Sequence, residues 1–173
     1  MSDVIDAHGV VDGDSTLTIQ RLLPGPIERV WAYLTDSELR RRWLAAGEME
    51  LRLGAEFELV WRNDALGGGE RPEGFGEEHR MTSRITALDP PRLLAIEWGS
   101  TGGVTFTLAP AGGRVLLTVT HRRVAERAML MNVSAGWHAH LDVLVAVAEG
   151  RPLPPFWPAW QRLKGDYAAR LGG

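Results

Sequence analysis

The chain has 173 residues, 45% hydrophobic and 24% charged, which is long enough to bury a sizeable core as one domain. Its net charge is only −3, and Lys164 is the single lysine among arginines scattered between acids, so a nucleic-acid partner is not expected. Cysteine is absent, which removes disulfides, thiolate nucleophiles and cysteine metal sites and fits a reducing, cytoplasmic setting.

The N-terminus lacks the basic-then-apolar pattern of a secretory leader, and no run approaches the roughly eighteen apolar residues of a membrane span. Residues 1–13 read as a flexible tail, and residues 14–173 as one domain with a helical extension over 155–171. From Thr16 to Leu23 the residues alternate, with Leu17, Ile19 and Leu23 opposite Thr16, Thr18 and Gln20, which predicts the first strand. Pro24, Gly25 and Pro26 break it. Ile27, Val30, Trp31 and Leu34 then recur at helical spacing, and Thr35-Asp36-Ser37-Glu38 has the form of a capping box in which Thr35 caps a second short helix running to about Trp43.

Beyond Glu48 the period returns to two. Met49, Leu51 and Leu53 alternate with Glu48, Glu50 and Arg52; Phe57, Leu59 and Trp61 with Glu56, Glu58 and Arg62; and His79, Met81, Ser83 and Ile85 with Arg80, Thr82, Arg84 and Thr86. Leu94, Ile96 and Trp98, then Val104, Phe106 and Leu108, then Val115, Leu117 and Val119 continue the series, with turns at Pro90-Pro91, Gly102-Gly103 and Gly112-Gly113. Seven strands with hairpin-length links predict an antiparallel sheet with one wet face.

A helical stripe follows over residues 133–149: Val133, Trp137, His140, Leu141, Leu144, Val147 and Ala148 share one arc, and His138, Asp142 and Glu149 lie off it. This helix is expected to lie across the sheet. Gly150 and the prolines at 152, 154 and 155 end it, and Phe156, Trp160, Leu163, Tyr167 and Leu171 form the stripe of a terminal helix. That stripe is expected to pack onto the domain or onto a second subunit, as in a homodimer.

Strand, two short helices, six strands and a long helix resemble the helix-grip α+β fold of the START-like superfamily. Within it, Pro26-x-x-x-Val30-Trp31-x-x-Leu34-Thr35-Asp36 with Trp43 downstream, Pro90-Pro91-Arg92-Leu93 before a strand ending in Trp98, and Gly136-Trp137-x-x-x-Leu141-x-x-Leu144 are similar to the heat-shock-chaperone ATPase-activator homologue family. The resemblance spans roughly residues 15–150, and the segment beginning Pro155-Phe156-Trp157 resembles the C-terminal extension of bacterial members. It implies a cavity between sheet and long helix that holds an apolar molecule. It fixes no substrate, since one fold hosts many functions.

Inward parity makes Phe57, Trp61, Met81, Trp98, Phe106, Trp137, Leu141 and Leu144 the candidate cavity wall, with His79, His121 and His140 as its candidate polar groups and Ser83 on the same parity. No metal or cofactor is expected: His138 and His140 diverge by about 200° on a helix and cannot share an ion. His138 and Asp142 are expected as an exposed pair one turn apart. Arg40-Arg41-Arg42 reads as a solvated face, and the glycines at 67–69 and around Phe75 as a loop or flap with no phosphate-loop ending.

Three readings of function stand at this point. The first is a non-enzymatic binder of a small apolar or aromatic molecule. The second is a cyclase, hydratase or hydrolase in which His121, His140 or an acid near the mouth such as Glu77 moves a proton. The third is a protein-interaction module of co-chaperone type, against which the Glu- and Arg-rich outer parity argues.

Overall fold

The computed structural model describes residues 8–12, 16–63, 66, 72, 76, 78–98, 102–122 and 127–170. Its elements in chain order are β1 (Val10–Asp12), β2 (Thr16–Pro24), α1 (Ile27–Thr35), α2 (Ser37–Arg40), β3 (Glu56–Trp61), β4 (His79–Asp89), β5 (Leu93–Glu97), β6 (Gly103–Ala111), β7 (Arg114–Arg122), α3 (Arg127–Glu149) and α4 (Phe156–Arg170). The strands form one sheet of order β1-β2-β7-β6-β5-β4-β3, antiparallel throughout. This is the helix-grip α+β fold. Alternation sets its inner face: Leu17, Ile19 and Leu23 of β2 and Val115, Leu117 and Val119 of β7 are buried, with Ile19 opposite Val119 in the ladder. Helix α3 closes this face with Trp137, Leu141 and Leu144. No helix among the described residues is long and apolar enough to cross a membrane.

The seven strands are not the seven that alternation suggests. Residues 48–53 form no strand. Ala46 makes an isolated bridge to Val60, and Gly47, at φ +136, then passes so close to β3 that a Cβ would meet the Glu58 carbonyl oxygen at 1.8 Å. Beyond it the chain leaves the sheet, and Leu51 and Leu53 stand exposed while Met49 packs on the core. The seventh strand comes from within the expected tail, where Val10–Asp12 pairs with Thr16–Thr18.

Three local expectations are corrected. The cap of α2 is Asp36, whose carboxylate accepts from the amides of Glu38 and Leu39; Thr35 instead donates its hydroxyl to the Trp31 carbonyl. Arg40 is not on a solvated face. It is buried, and its guanidinium donates to the carbonyls of Leu34, Ala45 and Gly47, tying down the chain on both sides of Trp43. Helix α3 begins at Arg127, six residues before the expected start at 133.

His138 and Asp142 are not an exposed pair either, because His138 is buried beside α4, while Asp142 stays partly exposed. The Tyr167 hydroxyl accepts from the Gly9 amide at 2.6 Å and lies 2.9 Å from His138 Nδ1; with the proton of the neutral ring on Nε2, toward the Asp142 carboxylate, Nδ1 is an acceptor and the hydroxyl donates to it. The other ring nitrogen, Nε2, lies 3.4 Å from Asp142 Oδ2, while Asp142 Oδ1 takes Arg21, a residue on the inward parity of β2, at 3.0 Å. Burial first, then the charge of Arg21, pushes the His138 imidazole down to about 3, so it is neutral in this network. The network fastens β1, β2, α3 and α4 together. Tyr167→Phe removes one partner from Gly9 and one from His138 and is expected to cost about 1–3 kcal/mol in urea unfolding, with faster amide exchange at Val10–Asp12.

Candidate functional site

An aromatic-lined cavity of about 450 Å³ lies at one end of the sheet under the first half of α3. Trp61, Met81 and Trp98 form the sheet side, Trp137 and His140 the α3 side, and Phe156, Trp157 and Trp160 the α4 side. Space exists there because Gly136, on the lining of α3, has no side chain, and a Cβ built on it meets nothing within 4 Å.

The aromatic wall is braced by edge and tilted contacts, with Trp98 5.5 Å from Trp61 and 5.1 Å from Trp137 between ring centroids. The Trp137 indole N–H donates to His121 Nδ1 at 3.1 Å, and Phe106 packs against the same indole at 5.7 Å. His121 and Phe106 therefore stand behind the wall and hold it.

His140 is the polar group set deepest in the lining, 6% exposed. A carbonyl only accepts, so the 2.8 Å contact with the Trp43 carbonyl requires the proton on Nδ1 and leaves Nε2 as a lone pair. Burial lowers this imidazole to about 4 against the opposing effect of the Trp43 hydrogen bond, which keeps it neutral near pH 7. Phe156 stacks on the ring at 4.4 Å. The carbonyl that positions His140 is itself fixed, since the Trp43 indole donates to the Tyr33 carbonyl and Arg40 binds the chain on either side.

Of the residues nominated from sequence, Trp61, His79, Met81, Trp98, Trp137 and His140 line the cavity. Phe57, Phe106, His121, Leu141 and Leu144 do not; they are buried in the solid core or behind the wall. Ser83 is also inside the sheet and donates to the Glu97 carbonyl. His79 is exposed and stacks 5.5 Å from Trp61, beside Glu78, whose carboxyl is held below its ordinary value by hydrogen bonds from Arg80 and Arg62. Glu77 and the glycines at 67–69 lie outside the described residues, while Gly76 joins the lining. Among the described residues no group of three His, Asp or Glu side chains is placed to hold a metal ion.

Sequence reasoning missed Leu44, Asn63, Val133 and Gly136, and above all the α4 wall. One signal for that wall was present: Trp157 stands beside a Phe156, Trp160 stripe that already suffices for docking.

Residues 24–149 match the family described as activator of Hsp90 ATPase homolog 1-like protein, which is most of the chain and all of the sheet and α3 that build the cavity, apart from β1 and most of β2. The chain belongs to this family. A Bordetella parapertussis protein solved in solution by NMR is 37% identical, with a TM-score of 0.78 over 98% of this chain and 95% of that one. CalU16 from Micromonospora echinospora, a crystal structure, is 25% identical, with a TM-score of 0.67 over 91% of this chain and 89% of that one. DynU16, from the dynemicin biosynthetic locus, shares the fold at 18% identity and a TM-score of 0.61, over 82% of this chain and 49% of that one. No curated protein matches the chain. The Bordetella parapertussis match extends over nearly the whole chain, so an α4-length segment after α3 is not peculiar to this member of the activator-homologue family.

Proposed function

We propose that this member of the family is a small-molecule binding protein whose ligand is an apolar, aromatic compound seated between the sheet, α3 and α4. The observation that carries the reading is the cavity of about 450 Å³ walled by five tryptophans and Phe156, within the size range of small-molecule sites. Such a wall offers large apolar area and ring faces for stacking. The acid–base reading is favoured by one feature, the neutral His140 with its lone pair, but among the described residues the other titratable groups of its lining, His79 and Glu78, are exposed, and Glu78 is already engaged by two arginines. A binder needs no second group.

Gly136→Leu tests the cavity directly. The new side chain projects from α3 into open space, so the protein is expected to keep or gain stability, by up to about 1 kcal/mol from helix propensity. Binding of N-phenyl-1-naphthylamine, followed by its fluorescence, is expected to fall by more than about ten-fold because the space is filled. Equal binding by the wild type and this variant would remove the cavity from the function.

A further inference from the structure

We infer that the cavity selects a neutral aromatic ligand that donates a hydrogen bond, such as a phenol or an aryl N–H compound, to Nε2 of His140; this rests on the binding reading above. Three observations select that class. First, Nδ1 carries the proton given to the Trp43 carbonyl, so the neutral imidazole has only an acceptor left to offer. Second, no arginine or lysine is among the described lining residues, and the two arginines at the mouth, Arg62 and Arg80, are already paired with the Glu78 carboxylate, so the described lining offers an anionic ligand no cation of its own. Third, the indole N–H of Trp137 is spent on His121 and that of Trp160 on the Asn132 carbonyl, so these two walls present ring faces more than donors.

The depressed value of His140 supports the same choice, because burial holds the imidazole in its accepting form well below neutral pH. A ketone, ether or carboxylate placed against Nε2 would set two acceptors face to face. A phenol or aryl N–H in the same place gives up its hydrogen bond to water and gains one in the cavity, so little is lost on burial.

The test compares 2-naphthol, 2-methoxynaphthalene and 2-naphthoate on the intact protein at pH 7. Binding is read by the tryptophan indole resonances, and the His140 ring is followed by its ¹⁵N shifts. The expected order is 2-naphthol first, 2-methoxynaphthalene about ten-fold weaker and 2-naphthoate weaker again, with the Nε2 resonance moving only for 2-naphthol. His140→Phe is expected to bring 2-naphthol down to the affinity of 2-methoxynaphthalene. If that variant does not fold, the wild-type series and the Nε2 shift still decide. Binding of all three compounds with equal affinity, or tightest binding of 2-naphthoate, would overturn the ligand class while leaving a binding protein. Failure of every compound to move the indoles of Trp61, Trp98 and Trp137 would overturn the binding reading and the ligand class with it.

Discussion

Replacing Arg40 with leucine is expected to destabilise the protein by about 3–5 kcal/mol, far more than the same change at either neighbouring arginine. Arg40 is 2% exposed, and its guanidinium satisfies three backbone carbonyls, those of Leu34, Ala45 and Gly47. Leucine fills part of the volume but leaves these acceptors without their donor. Burial lowers Arg40 to about 10, with Glu48 and Asp36 opposing the shift, so the group remains charged at neutral pH and its hydrogen bonds are of the stronger, charge-assisted kind. Arg41 and Arg42 are exposed, and leucine there is expected to change stability by no more than about 0.5 kcal/mol. Urea unfolding of the three variants measures the contrast. Because Arg40 holds the chain around Trp43, whose carbonyl orients His140, Arg40→Leu is also expected to broaden the His140 ring resonances.

The second large effect is acid sensitivity. His140 is lowered in the folded protein to about 4 from its ordinary 6.5, and His138 to about 3. Between these values and pH 6.5 the unfolded chain binds protons that the folded chain refuses, so stability rises with pH across this window and is lost as pH falls through it. Above 6.5 both states are neutral at these positions and no dependence arises from them. For His140 the shift corresponds to roughly 3 kcal/mol lost between pH 7 and pH 4. The urea midpoint of the wild type is expected to drop steeply between pH 6.5 and 4, and that of His140→Phe to drop less, so the two curves converge or cross in acid. Parallel curves for the two proteins would show that His140 is not held neutral by the fold.

Much of this arrangement could be read from residue order. Leu17 and Ile19, or Val115 and Leu117, announce their burial because a strand has a period of two and only one face of this sheet is dry. Trp137, Leu141 and Leu144 announce the inward face of α3 for the same reason at a period of 3.6. Periodicity reports which side of an element is buried, not what covers it. Leu51 and Leu53 alternate as well as any strand, yet they have no ladder partner, because the chain turns away after Gly47 meets the edge of β3. Arg40 and its two neighbours look alike in sequence, and only the closing of the loop around Trp43 separates the buried one from the exposed pair.

The same limit divides the site. Trp137, His140, Leu141 and Leu144 share one arc of α3, which is all a helical wheel can say, yet Trp137 and His140 border a cavity while Leu141 and Leu144 are packed solid. How far along the helix the space stays open depends on the missing side chain of Gly136 and on the place where α4 lays Phe156, Trp157 and Trp160 against the opening. His138 lies outside the helix's apolar arc and is nonetheless buried, because α4 docks there through Tyr167. Local pattern fixes the faces of each element through the geometry of its own backbone; the void and the buried polar network arise where faces distant in sequence meet, and no period within one element encodes that meeting.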